Sequence, residues 1–157
     1  MRVEKFAPVL CALTVCFSLA LTSEAKAAKR PLSRKAKTTD NTLALATDAA
    51  QPFVEQGFAV REAYWDGMLA RQAQTAVVQH LFKGNDYWFI VATDADAVVS
   101  LHIYNDDGDI VETEYWRKAR AAGAHIIPRQ TGTYYMVVEV KDAANAQVRW
   151  TMIYAVR

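Results

Sequence analysis

Few residues of this chain can do chemistry, and their spacing narrows the choice. Downstream of residue 27 there are two serines, Ser33 and Ser100, and three histidines, His80, His102 and His125. Neither serine lies in a G-x-S-x-G elbow, and no histidine has the H-E-x-x-H spacing of a zinc site. Ser100 and His102 are two residues apart on one strand face, which makes them neighbours without making them a nucleophile and its base. Glu112 and Glu114 have the same spacing. Paired carboxylates do acid–base work only where a pocket drives their pKa values apart; on a strand they read as a solvated face. A small secreted hydrolase built on Ser100, His102, Glu112 and Glu114 is therefore the alternative and not the first reading.

Calcium is the more serious ion. Asp94 and Asp96 share one loop, and Asp106, Asp107 and Asp109 share the next turn; hard cations want several such oxygens. A strand over 98–104 would hold the two groups about 20 Å apart at ~3.3 Å per residue, and neither matches an EF-hand loop. The turn is equally explained by residues that tolerate left-handed φ. A calcium-stabilised adhesion or accessory domain is a further alternative; no other cofactor is implied. The remaining option is a binding surface. Tyr64, Trp65, Tyr115, Trp116 and Tyr135 can supply aromatic platforms for sugars or a protein partner, and Arg117, Lys118 and Arg120 follow in a basic stretch. The ligand-binding candidates are Trp65, Tyr115, Trp116, Arg117, Lys118 and Arg120. No Gly-rich phosphate loop, dinucleotide fingerprint or nucleic-acid motif is present.

These residues must be positioned by strands. Residues 75–82 favour β structure and end at the turn 83–86. Residues 87–93 are apolar on both faces, as a central strand would be. Residues 98–104 alternate, and 105–109 signal a hairpin leading into 110–115. A longer connection over 116–123 leads to a short strand, 124–127, ended by Pro128. Residues 133–140 and 147–156 alternate again. Residues 53–64 are ambiguous between a short amphipathic helix and a first strand after Gly57. About seven or eight strands at short spacing, with no alternation of helices, predict an all-β fold: an antiparallel, jelly-roll-like β-sandwich over 52–157.

Three stretches, Gly84-Asn85-Asp86-Tyr87-Trp88-Phe89, Val98-Val99-Ser100-Leu101-His102-Ile103-Tyr104-Asn105-Asp106-Asp107-Gly108 and Pro128-Arg129-Gln130-Thr131-Gly132-Thr133-Tyr134-Tyr135, resemble in this order the bacterial pre-peptidase C-terminal domain family. The resemblance covers roughly residues 75–157. It implies a jelly-roll-like module of exported bacterial proteins, of the kind that accompanies a catalytic domain and serves targeting, secretion or substrate contact. The 157 residues leave no room for such a catalytic domain, so the module would stand alone.

The N-terminal third has a different character. Arg2 and Lys5 precede an uncharged stretch over 6–21, followed by Ala25 and Ala27: the order of a secretory signal peptide over 1–27, too short to span a bilayer comfortably. Cys11 and Cys16 fall inside it and lack the small residue that lipidation needs before the cysteine, since Leu10 and Val15 stand there. The exported chain would then carry no cysteine, hence no disulfide, thiolate nucleophile or cysteine-based metal site. Three of the 18 basic and two of the 17 acidic residues precede the cleavage point, leaving 15 of each. Lys29, Arg30, Arg34, Lys35 and Lys37 form a basic arm, and the rest is net acidic. The arm suits weak contact with an anionic surface. Residues 28–51, with no aromatic, read as a basic, low-order linker. Together these features predict an exported, periplasmic or extracellular module that binds a protein or polysaccharide of the cell envelope or extracellular space, without catalysis and without specific nucleic-acid binding or a transmembrane segment after cleavage.

Overall fold

The computed structural model describes residues 41–157; the expected signal peptide and basic arm lie outside them. Helix α1 (Asn41–Val54) comes first, followed by strands β1 (Ala59–Ala70), β2 (Ala73–Leu81), β3 (Tyr87–Thr93), β4 (Ala97–Tyr104), β5 (Glu114–Lys118), β6 (Ala121–Ile126), β7 (Gly132–Ala143) and β8 (Gln147–Val156). Every strand pair is antiparallel. Five strands form one sheet in the order β1-β8-β3-β6-β5, and three form the other in the order β2-β7-β4. The chain passes between the sheets as in a jelly roll of two Greek keys, with β5 placed beside β6 instead of beside β4. The expected all-β sandwich is thus the fold.

The two sheets face each other across a core that follows the period-2 alternation of the strands. Phe89, Val91, Val99, Leu101, Ile103, Met136, Val138, Val140, Val148 and Met152 are fully buried there. Strand β3 is buried at all seven residues, because its second face is covered as well. Trp88, Ile90 and Ala92 of β3, with Ile153 and Ala155 of β8, pack under α1.

That helix corrects the expected linker over its last part. Thr42, Ala46 and Ala50 are buried at spacings of four residues, one face of a helix. Thr42 Oγ1 lies 2.6 Å from Thr151 Oγ1 of β8, and the ring of Phe53 stacks on Trp88 with centroids 4.1 Å apart. Small residues let the helix backbone approach the sheet, so the contact buries area without the large side chains that would have marked it in the sequence. The folded unit therefore starts no later than Asn41, not at residue 52. Pro52 sits in the last turn and cannot donate to the carbonyl four residues back, so the helix ends two residues later, and Gly57 (φ 92°) turns the chain into β1.

The expected hairpin from 98–104 through 105–109 into 110–115 and the connection 116–123 also differ from the structure. The turn forms, held by Asn105, whose Oδ1 accepts the N–H groups of Asp107 and Asp109 at 3.1 and 2.8 Å. Only one bridge follows, Tyr104 to Ile110. The chain then crosses to the other sheet, where Trp116, Arg117 and Lys118 belong to β5 and pair with Gly123, Ala122 and Ala121 of β6. A short edge strand with charged side chains resembles a loop in sequence for the reason it succeeds as an edge: charge discourages further pairing.

Candidate binding face

The two sheets present unlike outer surfaces. The five-stranded sheet is covered by α1, whereas the outer face of β2, β7 and β4 carries no helix among the described residues. The register assembles that face in rows. Val78 of β2 lies beside Tyr135 of β7, which lies beside Tyr104 of β4. The next row is Ala76, Val137 and His102, and the one after it Gln74, Glu139 and Ser100. Val78 is 56% exposed, as is Phe82 just beyond the strand, whose ring meets His80 edge-on. Glu139 is the one carboxylate in these three rows, and Lys141, just beyond them on β7, lies 3.7 Å from it. Ala76 and Val78 are exposed there, and Tyr104, His102, Tyr135 and Val137 are half-buried; exposed apolar groups clustered within a polar rim mark interaction sites.

On the β4 side the face is bounded by Tyr115, which stacks on His102 at 5.0 Å. His102 Nδ1 is 2.8 Å from Glu112 Oε1, and Glu112 Oε2 accepts the Ile103 N–H at 3.1 Å. Glu112 also lines a cleft of about 640 Å³ between the loops 105–113 and 127–133, with Asp106, Asp107, Asp109, Ile110 and Arg129 on its walls. Face and cleft therefore meet at Glu112. Partial burial is the main cause that pushes the Tyr115 phenol above its ordinary value. The neutral phenol is thus favoured in the folded protein. Its contribution to stability is complete below pH 10 and is lost as pH rises through the raised folded value. Tyr115→Phe is expected to flatten the alkaline limb of a stability–pH profile, measured by urea unfolding between pH 8 and 11.

Of the ligand candidates read from the sequence, Tyr115 alone joins this face. Trp65 points between the sheets, opposite Met152 and against Tyr154. Trp116 turns to the other side of β5 and packs with the α1 cluster, 6.4 Å from Phe53. Strands β1 and β5 are the two edges of their sheet, roughly 19 Å apart at ~4.8 Å per strand. Trp65 and the 115–120 group therefore make no single patch. Arg117 and Lys118 are exposed on the β5 edge, and the Arg120 carbonyl accepts the Thr93 N–H at 2.9 Å. Tyr135, noted for its aromatic ring, sits at the centre of the open face.

The calcium candidates separate as their spacing requires, 94 and 96 before β4 and 106–109 after it. Asp94 Oδ1 accepts the Arg149 N–H at 3.1 Å. Among the described residues, no group of three or more His, Cys, Asp or Glu side chains is gathered as a metal site. The hydrolase residues also diverge. Ser100 Oγ donates to Glu139 at 3.2 Å while His102 turns to Glu112, and Glu114 lies 3.9 Å from a different histidine, His125.

His125 is the polar residue whose importance the sequence did not disclose. It is buried against Trp88, with ring centroids 4.8 Å apart. Nδ1 pairs with Thr113 Oγ1 at 2.6 Å and Nε2 with Asp86 Oδ1 at 2.5 Å. Asp86 Oδ2 accepts from Arg157 Nη2 at 2.7 Å, and Arg157 in turn donates to the Gln56 carbonyl and lies over Phe58. The line of hydroxyl, imidazole and carboxylate looks like a catalytic relay. Its Asp86, however, is shared with Arg157, and the whole set joins β3, β6, β8 and the turn after α1. The set ties these elements together as a clasp. Only the turn context of Asp86 was legible beforehand; its partners lie 39 and 71 residues away.

No helix among the described residues is long and apolar enough to cross a membrane. No protein-family model matches the chain, and no curated protein matches it.

Proposed function

We propose that the chain is an exported, non-catalytic β-sandwich module that binds a protein or polysaccharide of the cell envelope or extracellular space, through the outer face of β2, β7 and β4. The observation that carries this reading is the row Val78–Tyr135–Tyr104, flanked by the Tyr115–His102 stack, on a face poor in charge. Phenol rings on a rigid sheet offer large contact area at little entropic cost, with a hydroxyl to orient a polar ligand. The signal-peptide pattern in the sequence supports export.

The test is affinity electrophoresis through gels containing soluble polysaccharides, alongside capture of envelope proteins on the immobilised full chain. Tyr104→Ala/Tyr135→Ala is expected to reduce retardation or capture by tenfold or more. Arg117→Ala/Lys118→Ala on the β5 edge is expected to leave it within twofold. Equal binding by the tyrosine variant would remove this face from the reading.

A further inference from the structure

Among the described residues the two sheets have four edge strands, and three of them are guarded. Strand β1 carries Arg61, Glu62 and Asp66, and its register shifts between Val60 and Tyr64. Strand β5 has five residues, three of them charged. Strand β4 has a register shift at Val98/Val99, and its far end is occupied by the crossing segment: the Val111 N–H donates to the Ile103 carbonyl at 2.9 Å, and Glu112 takes the Ile103 N–H. These are the ordinary devices that stop a sheet from growing.

Strand β2 has none of them. Its nine residues, Ala73–Leu81, contain no charge, no proline and no glycine, and its pairing with β7 runs without a register shift. At ~3.4 Å per residue it offers a straight edge about 30 Å long. Val78, His80 and Phe82 stand exposed along it. The flanking Arg71 and Lys83 lie in the turns outside the paired stretch.

We infer that β2 is a dimerisation edge, and that its occupant is β2 of a second copy, paired antiparallel across a two-fold axis. Charge and closure favour a second copy. Within Ala73–Leu81 every antiparallel register of this strand against itself opposes uncharged side chains only, so no register carries the like-charge penalty. Joining two copies makes one six-stranded sheet whose new outer edges are the two β4 strands. Both are already blocked, so assembly stops at two instead of continuing into a fibre. The dimer also sets two copies of the Val78–Tyr135–Tyr104 row on one continuous surface. The inference itself does not depend on what that surface binds.

Sedimentation velocity on the full chain, as its producing cells process it, tests this between 1 and 100 μM. The wild type is expected to sediment as a dimer at the upper concentrations. Val78→Lys puts a charge on the exposed edge and is expected to raise the dimer dissociation constant tenfold or more, with the melting point of the monomer unchanged. Tyr104→Ala, on the opposite edge of the same sheet, is expected to dimerise as the wild type does, which separates this result from loss of ligand binding. A wild type that stays monomeric at 100 μM would overturn the inference. So would a dimer that Val78→Lys leaves intact, or a monomer whose β2 amides gain protection only with an unrelated extended peptide.

Discussion

Trp88→Ala is expected to destabilise the fold by about 3–5 kcal/mol, lowering the melting temperature by on the order of 10–20 °C. Trp88 is 5% exposed and lies at the junction of three elements. Phe53 of α1 stacks on one side of it and the His125 imidazole of β6 lies against it as well. Truncation leaves a cavity between helix and sheet that neither can close, because Ala46 and Ala50 already hold the helix backbone near the sheet. The loss should appear twice in calorimetry and hydrogen exchange: as a lower global midpoint, and as earlier exchange of the amides of α1. If the variant melts within two or three degrees of wild type, the helix is an ornament on the sheet and the folded unit is the sandwich alone.

The second large effect is expected at Asp86. Asp86→Ala leaves the His125 Nε2 and the Arg157 guanidinium without their shared acceptor. Breaking a mostly buried polar pair from one side costs about 3 kcal/mol. The side chains of Asp86 and His125 are 14% and 10% exposed, so water replaces the missing oxygens poorly. Asp86→Asn keeps one carbonyl acceptor and is expected to recover about half of the loss. Urea unfolding distinguishes the cases. The double variant Asp86→Ala/His125→Ala should be less destabilised than the sum of its parts, since the second substitution removes a group already stranded. Additive losses would mean that the two residues act separately and that the clasp is no unit.

The strands were legible where burial is simple. Residues 87–93 are apolar on both faces and became the strand covered on both sides; 147–156 alternate and became β8 with the same bounds. Misreadings fell where tertiary context outweighs local pattern. Leu43, Ala46, Ala50 and Phe53 follow helical spacing, but Thr and Ala dilute the signal, and the sheet that gives them a reason to fold is built from residues 88–92 and 151–155. Trp116 looked like a platform because it is large and stands among cations. Its partner is Gly123, directly across the strand pair. A Cβ there would lie 2.6 Å from Trp116 Cε2, so the indole occupies the space a side chain would need. No spacing rule reveals that pairing. The open face was missed for a related reason: each of its rows takes one residue from each of three segments that are far apart in sequence, and only the register brings Val78, Tyr135 and Tyr104 level.

The position of β8 bears on how the molecule comes into being. The last strand in sequence lies between β1 and β3, and α1 rests partly upon it. A chain emerging residue by residue from a ribosome, or through a narrow pore, has its larger sheet split into two halves until residues 147–156 are free. Helix α1, the first of the described elements to emerge, has half of its docking surface missing for the same interval. Folding of residues 41–157 should then wait for β8 and complete in one step, with the two halves of the larger sheet and the helix closing on that strand together.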